Sequence, residues 1–352
     1  MKPQRAPLLY DLSREQLAGE LAGEPRYRVD QIWEGLYSQM RSAEEMTNLP
    51  KALRSRLGAE FAPALELITS STSPDGQTTK FLWGLDGGAS IETVLMLYPD
   101  RATVCISTQA GCAMACGFCA TGQAGFERQL SVGEILEQVI QAARAAGDRR
   151  VSNIVFMGMG EPLANYDATW AAAERLQADV GISARHLTIS TVGVIPGIRR
   201  LATESLPINL AVSLHAANDQ LRDQLVPINR RYPLADLADA CRDYLAAKNR
   251  RLSFEWAMID NTNDRDSDCE ELATYARRLR AHVNLIPLNP TPGWPTVGSS
   301  KARVKAFAAG LTELGVNVTI RANRGTDIDA ACGQLRATTV TLSSKSSAKL
   351  AD

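Results

Sequence analysis

No stretch of eighteen or more apolar residues occurs in the chain, which excludes an ordinary transmembrane helix and predicts no membrane partner. Excess charge is also missing. The 38 Lys and Arg against 39 Asp and Glu leave a net charge of -1, which argues against a protein that coats nucleic acid by bulk charge, although a local basic face can still bind phosphates. The opening residues, MKPQRAPLLYDLSREQ, contain no sustained apolar run followed by a small-residue cleavage site, so a cytoplasmic location is expected. Histidine is scarce, with three in 352 residues. Cysteine is not: there are seven, an odd number, and in a reducing compartment clustered cysteines point to metal or redox chemistry rather than structural disulfides.

Four of the seven fall within fifteen residues, and Cys112, Cys116 and Cys119 are spaced C-x3-C-x2-C in GCAMACGFCATG. Three thiolates can hold three irons of a 4Fe-4S cluster and leave the fourth iron open for reaction. Zinc competes for this reading, but a closed structural zinc site takes four N or S ligands, and no His lies within sixty residues of the run.

A chain of this length exceeds the range in which single cores stop growing, about 250 to 300 residues, so two units are expected. Residues 1–75 read as a small module of short helices, at Arg14 to Ala22 capped by Asp11 or Ser13, at Arg28 to Gln39, and after Pro50. The turn-rich TSSTSPDGQTT, 69–79, reads as the boundary. A β-hairpin over 76–102 is signalled by two β-prone runs around Asp86-Gly87-Gly88. From 103 to 338, β-prone runs at Thr103 to Ser107, Ser152 to Met157, His186 to Thr191, Ile208 to Leu214, Leu252 to Met258 and Val283 to Pro287 alternate with helical ones. The predicted class is α/β, consecutive βαβ units forming a parallel sheet or partial (β/α)6 barrel with its chemistry at the C-terminal strand ends. Residues 339–352 are polar and read as a disordered tail.

Polar groups recur at those strand ends. The second strand runs into MGMGEPL, where the glycines of the turn, Gly160 among them, let the backbone approach a ligand and Glu161 offers a carboxylate suited to an ammonium. Ser190 ends the third strand, Ser213-Leu214-His215 the fourth, and the sixth runs into Leu288-Asn289-Pro290. Any one of these could be an ordinary cap or structural hydrogen-bonding group; their coincidence on one face suits a small polar cofactor. Cys105 lies on the first strand, and Cys332 lies in DIDAACGQL, where Gly333 permits a tight turn that could bring its thiol to the barrel mouth. Cys241 and Cys269 sit in helical stretches and read as packing residues. Of the many arginine pairs, most read as solvated helix ends; Arg321 to Gly325 is the better RNA-contact candidate because it adjoins the Cys332 loop.

The series CISTQAGCAMACGFCATG, FMGMGEPL, AVSLHA, IPLNP and GTDIDAACGQL resembles the RlmN/Cfr family of radical S-adenosylmethionine RNA adenine methyltransferases over nearly the whole chain. QIWEGLYS and EEMTNLPKALR resemble the helical RNA-binding domain of the RlmN branch. The resemblance implies that Cys112, Cys116 and Cys119 hold one 4Fe-4S cluster. It also implies that Gly160 and Glu161 meet the methionine amino group of S-adenosylmethionine, and that Ser190, Ser213, Leu214, His215 and Asn289 line the rest of its site.

By the same resemblance Cys332 is methylated by one S-adenosylmethionine, and a second, reduced by the cluster, yields a 5'-deoxyadenosyl radical that activates the methyl group, two molecules per turnover. The carbon radical adds to adenine, whose carbon 2 is too electron-poor to attack a sulfonium methyl. Glu92 matches the family's proton acceptor, though on sequence alone it reads as a surface strand carboxylate. Cys105 would resolve the protein–RNA adduct by forming a disulfide with Cys332. The implied partners are 23S rRNA, at an adenosine of the peptidyl-transferase centre, and tRNA, at the adenosine beside the anticodon. An electron donor such as flavodoxin or ferredoxin is implied too, with the enzyme a monomer. Carbon 2 is expected; Cfr-type carbon 8 methylation is the alternative. A radical enzyme acting on a peptide or metabolite would have no reason to need both Cys105 and Cys332, and a non-enzymatic metal protein would need a fourth ligand.

Overall fold

The computed structural model describes residues 7–289, 291, 295, 297–322, 324–331 and 333–335. The expected 339–352 tail lies outside them. Helices α1 (Arg14–Glu20), α2 (Tyr27–Tyr37) and α3 (Lys51–Glu60) form the N-terminal module. Ser13 caps α1: its hydroxyl accepts from Gln16 N, and the Gln16 side chain accepts from Ser13 N, a reciprocal box that satisfies two otherwise orphaned donors. Asp11 has a different task. Its carboxylate accepts from Gly133 N at 2.6 Å, while Trp33 Nε1 donates to Asp179 and Arg175 donates to the Tyr10 carbonyl, so the module is pinned to the main body.

Three antiparallel strands follow, β1 (Glu66–Thr72), β2 (Thr78–Gly84) and β3 (Ser90–Leu97). Here the structure corrects the expected boundary at 69–79. Ser70, Ser71 and Thr72 pair with Phe81, Lys80 and Thr79, and the reversal is confined to the short turn between them, where the Asp75 carboxylate accepts from Ser73 Oγ and Gln77 N. A Ser/Thr-rich run reads as a linker by composition, yet β-branched threonines suit a solvated edge strand.

The meander joins the main sheet through β4 (Ala102–Cys105). There follow a small ribbon of β5 (Gln109–Gly111) and β6 (Phe126–Gln129) flanking α4 (Ala120–Ala124), then α5 (Val132–Ala145), β7 (Val151–Phe156), α6 (Tyr166–Ala178), β8 (Leu187–Thr191), α7 (Ile195–Thr203), β9 (Asn209–Ser213), α8 (Asp219–Leu225), α9 (Leu234–Lys248), β10 (Leu252–Met258), α10 (Asp266–Arg278), β11 (His282–Pro287), α11 (Lys301–Glu313) and β12 (Val318–Ile320). The main sheet runs β1-β2-β3-β4-β7-β8-β9-β10-β11-β12, parallel from β4 onward, with β1 and β12 as its edges. This is the expected partial barrel with one addition, the short parallel strand β12.

Side-chain alternation separates core from site. Val104, Ile154 and Leu187 face one way in register, as do Phe156, Ile189 and Leu210, and Val212, Phe254 and Val283; all are essentially buried. The other face carries Lys80, Val94 and Cys105 in register, and farther along the sheet Ser213, Glu255 and Asn284, because cross-strand partners project to the same side. The sheet therefore turns its polar residues to the concave side.

Candidate active site

Cys112, Cys116, Cys119, Gly160, Glu161, Ser190, Ser213, His215 and Asn289 line one cavity at the C-terminal ends of the parallel strands. Leu214 is buried but does not line it; its backbone N donates to the Glu255 carbonyl and its carbonyl accepts from Arg222 Nε. Glu92 and Cys105, both buried, lie on the concave face but are not among the lining residues. Cys332 lies outside the described residues. Its neighbour Gly333 and Leu335 line the cavity. Cys241 in α9 and Cys269 in α10 are buried, as packing residues.

The cysteine loop hangs between β5 and α4. Cys112 N donates to the Gly125 carbonyl at 2.7 Å, and Gln123 Nε2 clamps the loop through the Gly117 carbonyl and Thr291 Oγ1. Gly122 allows the close turn, since a Cβ there would stand 2.9 Å from the Cys116 carbonyl oxygen. Burial pushes the Cys112 thiol up to about 12 and the Cys116 thiol well above the usual range; bound iron would reverse that by stabilising thiolate. Among the described residues no group of His, Cys, Asp or Glu side chains converges as a single metal ion requires. Three thiols on one cavity match the ligand count of a cluster with one open iron.

Gly160 and Glu161 are placed by strict local demands. Gly160 has φ +99°, and a Cβ there would lie 2.5 Å from Gln109 Cβ. Gln109 Oε1 accepts from Glu161 N at 2.7 Å, and the Glu161 carboxylate accepts from Val192 N at 2.8 Å and Leu163 N at 3.0 Å. Burial raises this carboxyl to about 7, against the lowering effect of those N–H groups. It is poised to ionise for a cationic guest.

His215, in the left-handed region at φ +60°, accepts from Ala257 N at Nδ1 over 3.0 Å. The neutral tautomer consistent with that bond carries its proton on Nε2. Burial, aided by Arg222, lowers its pKa to about 3, so the ring is a neutral donor at any working pH. Arg222 itself is buried and donates to carbonyls of Val192, Ser213 and Leu214, tying the ends of β8 and β9 together. Nothing in its helical surroundings announces that role in sequence.

The C-terminal segment closes over this site. Ala120 N donates to the Gly333 carbonyl at 2.8 Å, and Thr121 Oγ1 to the Leu335 carbonyl. Arg321 was expected to face RNA, but it turns inward, lines the cavity and donates to Glu255 at 3.1 Å. Arg324 is likewise engaged: it bonds Gln77 and the Leu97 carbonyl and lies 4.3 Å from the Tyr98 ring centroid. A desolvated carboxylate on β10 and an electron-rich ring next to β3 outcompete solvent for these guanidinium groups.

Residues 106–276 match the radical SAM superfamily. The chain is 50% identical over 347 residues to a probable dual-specificity RNA methyltransferase RlmN of Frankia alni, covering 94% of this chain and 83% of the relative. It is also 50% identical over 345 residues to the like-named protein of Chloroflexus aurantiacus, covering 93% and 92%. The crystal structure of a radical SAM methyltransferase from Sphaerobacter thermophilus superimposes with TM-score 0.91 at 48% identity, covering 94% of this chain and all of that one. Full-length similarity at this level, on a cavity that gathers three cysteines with the strand-end polar groups, leaves one assignment: the chain belongs to the RlmN family of radical SAM RNA methyltransferases.

Proposed function

We propose that this protein methylates carbon 2 of adenosine in 23S rRNA, at the peptidyl-transferase centre, and in tRNA beside the anticodon. The observation that carries the reading is the docking of the C-terminal segment: Gly333 and Leu335 accept from Ala120 and Thr121 at the start of α4, directly after Cys119, while Cys105 and Glu92 share the concave face of the sheet.

Cys112, Cys116 and Cys119 would hold the cluster, and Glu161, Ser190, Ser213, His215 and Asn289 would hold S-adenosylmethionine. Together these supply methyl transfer and a radical able to abstract hydrogen, reactivity that no side chain provides. Cys332 sulfur carries the one-carbon unit to the base. Glu92 takes the proton from carbon 2, and the one electron left on the ring would be taken back by the oxidised cluster, so that the adduct is closed-shell before the cysteines act. Cys105 thiolate then attacks Cys332 sulfur; the S–S bond forms as the sulfur–carbon bond breaks, and the departing carbon keeps the electron pair and gains a proton to become methyl. An external dithiol resets the disulfide, and a flavodoxin- or ferredoxin-like donor supplies the electron. The enzyme is read as a cytoplasmic monomer; no helix among the described residues is long and apolar enough to cross a membrane.

Cys105→Ala tests this scheme. The variant should accumulate a covalent protein–RNA species on denaturing gels, which Cys332→Ala should not form; absence of the adduct in both would overturn the cysteine roles.

A further inference from the structure

We infer that Lys80 is a positioning residue that holds the proton acceptor and the methyl-carrying loop in one register. The inference rests on the reading of Glu92 and Cys332 given above. Lys80 Nζ lies 2.9 Å from Glu92 Oε1 and donates to the Asp329 carbonyl at 3.1 Å, three residues before Cys332 in sequence. The Lys80 and Glu92 side chains are only 16% and 6% exposed, so this contact is sheltered from solvent and salt.

The register explains why the ammonium reaches both. Lys80 stands opposite Val94 and Glu92 opposite Leu82, diagonal neighbours on the concave face. Asp329 has φ +51°, just after a 3-10 turn at Thr326–Ile328, and its carbonyl meets the sheet there. Other anchors fix the segment at its ends: Arg324 on Gln77 and Leu97, and Gly333 on Ala120. Lys80 differs from them in also touching a group that the proposed chemistry uses. An ammonium has three donors and can satisfy a carboxylate and a carbonyl together, whereas neither glutamine nor methionine offers the same charge and reach.

Two functions follow for one side chain. Toward Glu92 it fixes which direction the carboxylate faces; toward Asp329 it fixes how far the loop stands from the sheet. A purely structural lysine would do only the second.

The test uses full-length, cluster-reconstituted enzyme in single-turnover reactions with unmodified 23S rRNA fragments, comparing Lys80→Met, Lys80→Arg, Glu92→Gln and Lys80→Met/Glu92→Gln. Release of 2-methyladenosine and methylation of Cys332 are followed separately by mass spectrometry. Trypsin cleavage after Arg324 in cluster-free protein reports loop docking. Lys80→Met should slow base methylation at least tenfold while Cys332 still becomes methylated, Lys80→Arg should recover most of the rate, and the cleavage should quicken several-fold. On the Glu92→Gln background Lys80→Met should slow the residual base methylation by a smaller factor than in the wild-type chain, because its part through Glu92 is already lost while its part through the Asp329 carbonyl remains. Wild-type rate in Lys80→Met, with Glu92→Gln slowed to a small residual rate, would overturn the inference and leave the proposed function standing. Additive losses in the double variant, or no change in cleavage, would also overturn it. Full activity in Glu92→Gln would instead remove the reading on which it rests.

Discussion

Binding of S-adenosylmethionine should weaken as pH falls through 7, and the cause lies in one carboxyl. Glu161 is enclosed, its acid form is favoured by burial, and its pKa stands near 7 where an unburied glutamate would ionise below 5. An ammonium guest needs the ionised form. The sign is therefore fixed: a raised carboxyl pKa costs affinity on the acid side. With half of the sites ionised at pH 7 and about a tenth at pH 6, apparent affinity should drop about fivefold over that unit and about tenfold per unit below it. The ligand's own amino group, with an ordinary pKa of about 8, stays protonated over this range and does not contribute. Equilibrium binding by calorimetry on reconstituted enzyme at pH 5.5, 6, 6.5 and 7 measures the profile. In buffers of different ionisation enthalpy, binding at pH 7 should release about half a proton. Glu161→Gln should bind more weakly and without this slope. A flat wild-type profile, or an equal slope in Glu161→Gln, would refute the reasoning.

Gly160→Ala should lower thermal stability by about 2 kcal/mol and impair S-adenosylmethionine binding, because the added Cβ meets Gln109 at a φ that L-residues avoid; differential scanning calorimetry and binding check both. Arg321→Met should destabilise by about 2 kcal/mol in urea melts, because it leaves the buried Glu255 charge with only the neutral donors Asn284 and Ser253, and Glu255→Gln in the same chain should recover part of the loss. Thr121→Val should leave global stability within about 1 kcal/mol yet loosen the C-terminal segment, since one hydroxyl-to-carbonyl bond to Leu335 is lost; faster trypsin cleavage after Arg324 with an unchanged melting temperature is the expected pair of results.

Sequence pattern reached much of this architecture because short runs of aliphatic, β-branched and aromatic residues alternate with amphipathic helices, which leaves little choice of period. Leu252–Met258 was legible to the residue, and Val151–Phe156 to within one position at each end. Short elements escaped. Val318–Ile320 has three residues and becomes a strand only because β11 offers a free edge, and Glu66–Thr72 is a polar edge strand with almost no apolar alternation. The cysteine spacing and the strand-end Ser190, Ser213 and His215 were legible since parallel strands end at one rim. Lys80, Glu255 and Arg321 were not legible as a site, because their meeting depends on cross-strand register and on a C-terminal segment folding back over residues more than sixty positions away.

The most direct test is mass spectrometry of nuclease-digested 23S rRNA lacking the modification, after anaerobic incubation with reconstituted protein, reductant and S-adenosylmethionine, beside a Cys332→Ala control. The account predicts 2-methyladenosine from the wild-type protein alone. Production of 8-methyladenosine, or of no methylated base from an enzyme that still cleaves S-adenosylmethionine, would contradict it.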